Sequence, residues 1–329
     1  MFYWLEGLNE EAAKGQELLE SNFIRPIKDN GLIFNSDGVY QLTENTNLRA
    51  LNSGSMATCK SPSPAELGES LRKQIKLIYS QFLSDDGTQV DYEGIKNSET
   101  FARYEQLAQQ LQRVNIAKLD ETGRLAFFIN IYNALIIHGQ VRRGIPPSFL
   151  ARLRFFSNTS YIIGGYAFSL DQIENGVLRS NRRSPAALFK PFSKGDGRLD
   201  FAMKQNEPLI HFALVCGAKS CPPIKCYTQN VREELTIATE GFLMDSDNVM
   251  VNLEKKKVTL SMILKWYQVD FGGSDKNVVK FIIQNLPEVS LAFFSEIYNN
   301  LEQRKTSAVD QAGRGQVHCR LFQVRLGHQ

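Results

Sequence analysis

A chain of 329 residues has room for one large domain or two ordinary ones, and 43 % hydrophobic with 22 % charged residues is a globular composition able to bury a core. A net charge of +3 argues against a nucleic-acid binder, the more so because the basic excess sits in the tail, at Arg304, Lys305, Arg314, Arg320 and Arg325. Five cysteines, an odd number, do not make a disulfide scaffold and suit a reducing cytosol, and no apolar run reaches the roughly 18 residues a membrane-spanning helix needs.

The opening "MFYWLEGLNEEAAKG" has neither a basic n-region nor a long apolar stretch, so it does not read as a signal peptide. Residues 1–42 read as a small unit. Asn9 is placed to cap a helix with Ala12, Leu18 and Leu19 along one side. The β-type segments "FIRPI", "LIF" and "VYQL" follow, and the Asp-Gly of "NSDG" predicts a hairpin between the last two. Helix followed by hairpin is the second half of a winged-helix domain. Residues 43–63 are rich in Ser, Thr, Asn and Pro and predict a linker.

From Pro64 the pattern turns helical, with Leu67, Leu71, Ile75, Ile78 and Phe82 at spacings of three and four. A second helix carries Phe101, Tyr104, Leu107 and Leu111. A third, capped by Asp120, runs through "GRLAFFINIYNALIIHG" and is apolar on nearly every side, which predicts a helix buried at the centre of its domain. "SYIIGGYAFSL" predicts a hairpin turning at Gly164-Gly165, "LIHFALV" a continuous buried strand, "VREELTIATEGFL" a helix, and "VMVNLEKKKVTL" a hairpin. "SMILKWYQVDFG" and "KNVVKFIIQNL" predict two closing helices. Helices and hairpins without βαβ alternation make the fold class α+β. A large mixed domain over 64–288 is expected, followed by an unassigned segment, 289–329, that reads as a disordered tail.

Five ordered motifs over this region resemble one family: "VDYEGI" (Val90–Ile95), "LAFFINIYNALIIHG" (Leu125–Gly139), "SLDQIENGVLR" (Ser169–Arg179), "HFALVCGAKSCPPI" (His211–Ile224) and "LKWYQVDFG" (Leu264–Gly272). The family is the domain of unknown function 547, and the resemblance supplies no activity. This chain departs from its pattern in reading Ile173-Glu174-Asn175 in place of Ile-Glu-His, in carrying Leu209 where an arginine is common, and in lacking the closing Tyr-Asp-Trp segment. The N-terminal stretches "WLEGLNEEAAKGQELLESNFIRPI" and "GLIFNSDGVYQL" resemble the second half of a DEP domain, whose first helices are missing. That resemblance implies a docking role in intracellular signalling, with a protein partner or membrane-associated receptor and a cytoplasmic location that extends to the periphery of membranes.

The stretch with the most chemistry is "HFALVCGAKSCPPIKCY", which holds three of the five cysteines behind one of four histidines. On a strand, side chains alternate faces, so His211 and Cys216 point apart. Gly217 permits a turn that brings Cys221 back, and Pro222 suits the first turn of a short helix whose amides lower a thiol pKa. Cys221 is therefore the better nucleophile, with Cys216 second, His211 as base, Glu174 to orient the imidazole, and Asn133 or Asn130 to donate to an oxyanion. The same residues also read as a buried strand with small sulfur side chains and a hydrogen-bonded core histidine. A zinc site would need three or four compact ligands, which Cys-x4-Cys-x4-Cys interrupted by two prolines supplies poorly, and a Cys216–Cys221 redox pair has a longer spacer than Cys-x-x-Cys. No cofactor or metal is implied.

The other polar residues read more simply. Asn130 and Asn133, three apart on an apolar helix, brace a loop or line a pocket, with bracing favoured. Trp266, Tyr267 and Asp270 anchor the closing helix. Arg179, Arg182 and Arg183 make a solvated loop, and His138 sits toward the end of the buried helix in a dipole-facing place. Two classes of function remain: a signalling or scaffold protein with a docking unit, and a cysteine-dependent hydrolase of amide or ester bonds.

Overall fold

The structure, a computed structural model, describes residues 12–19, 24–26, 34–35, 40–42, 50–54, 63–84, 89–185, 187–215, 227–252 and 257–286. These belong to two compact units. The first draws on Met1–Ser184, Leu188–Lys204 and Cys226–Gln229, the second on Pro185–Ala187, Gln205–Lys225 and Asn230–Gln329. Helices and three antiparallel two-stranded pairs make up both, the α+β class read from the sequence.

In the first unit, residues 12–19 form α1. Its packing residue is not an apolar side chain but Gly15: a Cβ there would lie 2.4 Å from the Phe34 ring, and Leu18 is 41 % exposed. Phe34 in turn stacks on Tyr40 at 4.9 Å, and its amide donates to Gln16 Oε1. β1 (Ile24–Pro26) pairs with β2 (Tyr40–Leu42), the first and last of the three β-type segments, and Leu32 and Ile33 of "LIF" lie outside the described residues. Asn9 and the Asp-Gly dipeptide lie outside the described residues.

Ala50–Gly54, assigned by composition to the linker, is packed into this unit. Asn52 is 1 % exposed, donates to Ala108 O and Ile162 O, and accepts from the Ile162 amide. Leu51 N donates to Ser160 O beside it, so the segment lies along a strand edge and satisfies groups that would otherwise be buried unpaired. One buried asparagine overrides the polar composition around it.

α2 (Pro64–Gln81) starts on a proline at its first turn and buries Leu67, Leu71, Ile75 and Ile78 as their spacing predicts. α3 (Tyr92–Lys96) and α4 (Glu99–Gln109) lead to α5 (Glu121–Arg143), which Asp120 caps by accepting from Gly123 N and which Gly144 ends at φ 79°. α5 is buried on every side from Leu125 to Val141, the central helix the sequence predicts. Gly68 lets α2 approach it: a Cβ there would lie 2.9 Å from the Phe127 ring. α6 (Phe149–Asn158) precedes β3 (Ser160–Ile163) and β4 (Tyr166–Ser169), which turn at Gly164 and Gly165, both at positive φ as the Gly-Gly signal requires. Gln172–Leu178 then winds as a π-helix, its Gly176 pressed against Phe192.

The second unit opens with a correction. "LIHFALV" is not a strand: Pro208–Phe212 is a 3-10 turn, and the amides of Ala213 and Leu214 both donate to Ile210 O. Pro208 fixes φ for the first turn, and the Glu207 carboxylate caps it by accepting from Leu209 N. α7 (Val231–Met244) and the hairpin of β5 (Val249–Asn252) and β6 (Lys257–Leu260) follow the predicted pattern. α8 stops early, at Met262–Trp266, because turns through Tyr267–Gly273 carry the chain to α9 (Asp275–Gln284). Phe212, Phe242, Leu264, Phe271, Val278 and Ile282 form the core of this unit.

Candidate functional site

The 3-10 turn fixes where His211 points. Its Nε2 lies 2.8 Å from Asp270 Oδ2, its ring stacks on Tyr267 at 3.9 Å with 25° between planes, and Phe271 meets it edge-on at 5.6 Å. His211 is 5 % and Asp270 7 % exposed. The turn after α8 holds the carboxylate in place, since Asp270 N donates to Tyr267 O. With Asp270 ionised, and so an acceptor only, Nε2 is the donor of this bond. A buried imidazole oriented by a carboxylate is the base-and-orienter half of a nucleophilic site.

The sequence assigned the orienting role to Glu174, but the carboxylate on His211 is Asp270. Glu174 belongs to the first unit, on the π-helix, where it accepts from Tyr132 Oη at 3.1 Å. Asn133 is also in that unit, fully buried on α5. Cys216, Cys221 and Cys226 lie outside the described residues, as do Gly217 and Pro222. At Tyr227 Asn130 makes the brace expected of it: Nδ2 donates to Tyr227 O at 2.7 Å and Oδ1 accepts from Tyr227 N at 3.1 Å. Asp270 and Tyr267 were visible in "LKWYQVDFG" but read as helix anchors; nothing local ties Asp270 to a histidine 59 positions away.

A second polar cluster lies in the first unit. His138, fully buried, sits between Tyr161 Oη at 2.7 Å from Nδ1 and Glu105 Oε1 at 3.0 Å from Nε2. Tyr104 and Tyr161 bond to each other at 2.9 Å, and Arg142 forks onto Glu105. Burial pushes the His138 pKa below the ordinary histidine value, against the pull of Glu105. Burial also works against ionising Glu105, but the hydrogen bonds from His138 and Arg142 outweigh it and hold the carboxyl at about 2. Glu105, Arg142, Arg143, Ser169, Gln172 and Arg198 line a polar cleft of about 740 Å³. His138 is thus a network residue within the helix rather than a cap at its end.

Arg179 also departs from its reading as a solvated loop residue. It is 3 % exposed and donates to Asn175 Oδ1 at 2.5 Å and to Arg183 O, while Asn175 Nδ2 bonds Asp171. Asn175 thus bridges a carboxylate and a guanidinium. Among the described residues, no group of three or more His, Cys, Asp or Glu side chains is arranged to hold a metal ion, and no helix is long and apolar enough to cross a membrane.

Residues 116–243 match the family model described as Protein of unknown function, DUF547. The matched span takes in the motifs at 125–139, 169–179 and 211–224, and it ends before the turn that carries Asp270. No curated protein and no solved structure matches the chain.

Proposed function

We propose that the chain is a cysteine-dependent hydrolase of amide or ester bonds, with Cys221 as nucleophile, His211 as its base and Asp270 orienting the imidazole. The observation that supports this is the buried His211–Asp270 pair, whose histidine stands ten positions before Cys221 in the chain. In this reading Nδ1 takes the thiol proton and the thiolate adds to the substrate carbonyl carbon. The tetrahedral adduct collapses as the imidazolium protonates the leaving amine or alcohol, which leaves a thioester. Water then adds, giving its proton to His211, and the expelled thiolate regenerates the site. Cys216 is the second thiol in reach by sequence.

Incubation with p-nitrophenyl acetate, followed by peptide mass spectrometry, tests the acyl step. The expected result is an acetyl group on the Cys221 peptide that forms fastest in wild type, slows in His211→Gln, and disappears in Cys221→Ser. Acetylation at equal rates on all five cysteines, unchanged in His211→Gln, would overturn the hydrolase.

A second reading rests on a different observation. α1 seated on Phe34 through Gly15, with Phe34 stacked on Tyr40 beside an antiparallel pair, supports a DEP-like winged-helix half in residues 1–42. Such a unit would dock a signalling or scaffold protein onto a protein partner or membrane-associated receptor in the cytoplasm. Deleting residues 1–42 should then disperse a membrane-recruited fluorescent fusion while leaving Cys221 acetylation unchanged. A fusion that keeps its distribution argues against docking.

A further inference from the structure

α6 has its apolar side outward. With about 3.6 residues per turn, Phe149, Leu150 and Leu153 fall on one side and Phe155 on the other. Phe155 is the residue that is buried, 8 % exposed, whereas Phe149 and Leu150 are 69 % and 66 % exposed and Leu153 is 40 %. Ile145, in the loop that leads into the helix, is 55 % exposed and extends the patch. A helix on the surface of a water-soluble domain has the opposite arrangement, with polar residues outward. Four large apolar side chains within nine positions are more than the scattered exposure any surface carries.

Within the segment that carries this patch the charges all have one sign. From Val141 to Leu170 the chain contains no Asp, Glu or Lys, and its charged residues are Arg142, Arg143, Arg152 and Arg154. Glu105 neutralises Arg142, so that arginine is left out of the count. Arg152 and Arg154 belong to α6 itself and flank the apolar side, one on each edge at helical spacing. Arg143 sits just before the loop and donates to Asn158 O at the far end of the helix, which fixes the loop against it. Ser148 caps the helix by accepting from Ala151 N. The patch is therefore presented by a built element.

An apolar side bordered by arginines, with no acidic residue in the segment, is complementary to one surface above others: hydrocarbon beneath a layer of negative charge. A nucleic acid would match only the arginines, and a segment without a single acidic residue suits a continuous negative surface better than a protein rim of mixed sign. We infer that α6 and the loop Ile145–Ser148 form an interfacial docking surface for membranes of anionic lipid. Phe149, Leu150 and Leu153 enter the boundary between headgroups and acyl chains, and Arg152 and Arg154 meet the lipid phosphates. This surface draws on none of residues 1–42 and on neither His211 nor Asp270, and it stands whether or not the hydrolase does.

Flotation of the full chain with vesicles tests it, using phosphatidylcholine alone and phosphatidylcholine in which roughly a third of the lipid is phosphatidylserine, a content that gives the surface potential basic residues respond to. The chain should float with the anionic vesicles and stay behind with the neutral ones. Phe149→Ser with Leu150→Ser should abolish flotation, and both positions are exposed enough that the melting temperature should not move. Arg152→Gln with Arg154→Gln should weaken partitioning by roughly thirtyfold. Soluble phosphoserine in excess should not compete, which separates a lipid surface from a free phosphate ligand. Flotation that is absent, equal on both vesicles, or unaffected by the serine pair would overturn the inference. So would competition by phosphoserine, or capture by a duplex oligonucleotide or an acidic protein in place of anionic vesicles.

Discussion

Replacing His211 by alanine removes one partner of a buried pair and leaves Asp270 without the imidazole at 2.8 Å. Both side chains are nearly inaccessible, 2 % and 0 % exposed, so solvent cannot restore what is lost. Breaking such a pair from one side costs about 3–5 kcal/mol, and loss of the stack on Tyr267 adds about 0.5–1.5 kcal/mol. Asp270→Asn keeps an acceptor opposite Nε2 and gives up the charge, so it should cost about 1–2 kcal/mol. In the double variant the stranded charge no longer exists, and the two effects should fall short of additivity by about 2–3 kcal/mol. Urea titration followed by Trp266 fluorescence in a Trp4→Phe background reads the second unit, because the sequence has two tryptophans. A His211→Ala cost under about 1 kcal/mol, or additivity within about 0.5 kcal/mol, would refute the pairing and the donor assignment built on it.

Asn130→Ala should cost about 2–4 kcal/mol, since it strands the amide and carbonyl of Tyr227, a residue 1 % exposed. A thermal melt checks it, and an unchanged midpoint would contradict the brace. Asn52→Ala should expose Ala50–Gly54, so that trypsin cleaves at Arg49 and Lys60 faster than in wild type; an unchanged cleavage rate would return the segment to the linker. For Glu105, whose carboxyl is held down at about 2, the stabilisation is fully present above an unfolded value near 4.5 and is lost as pH falls through 2. The part-exposed carboxylate is screened, so the effect should be about 1–2 kcal/mol, and Glu105→Gln should flatten the acid limb of a urea-midpoint profile by that amount.

Local patterns made the helices legible and left the site half hidden. α5 could be read because a run of apolar residues behind Asp120 has one outcome, a helix buried all round, and the β3–β4 turn because Gly164-Gly165 admits positive φ. "LIHFALV" misled because a short apolar run does not distinguish a strand from a buried turn by period. The signs that decided it, Pro208 and the capping Glu207, stood at its edge. Asn52 shows the limit of composition: three hydrogen bonds from one side chain dock a stretch whose neighbours all look like linker. Asp270 shows the limit of motifs. Its partner lies across the fold, and only the turn that ends α8 at Trp266 brings the carboxylate to the ring.

The central claim is that His211, oriented by Asp270, serves a thiol. The direct measurement is the iodoacetamide rate at each of the five cysteines at neutral pH, read by peptide mass spectrometry. If His211 is its base, Cys221 should react fastest in wild type, with more of it held as thiolate than its unperturbed pKa of about 8.5 allows. Its rate should fall by about tenfold or more in His211→Gln and by less in Asp270→Asn, with the other four cysteines unchanged. A Cys221 rate no higher than those of Cys59 and Cys319, and indifferent to both substitutions, would contradict the account and leave His211 and Asp270 as a buried structural pair.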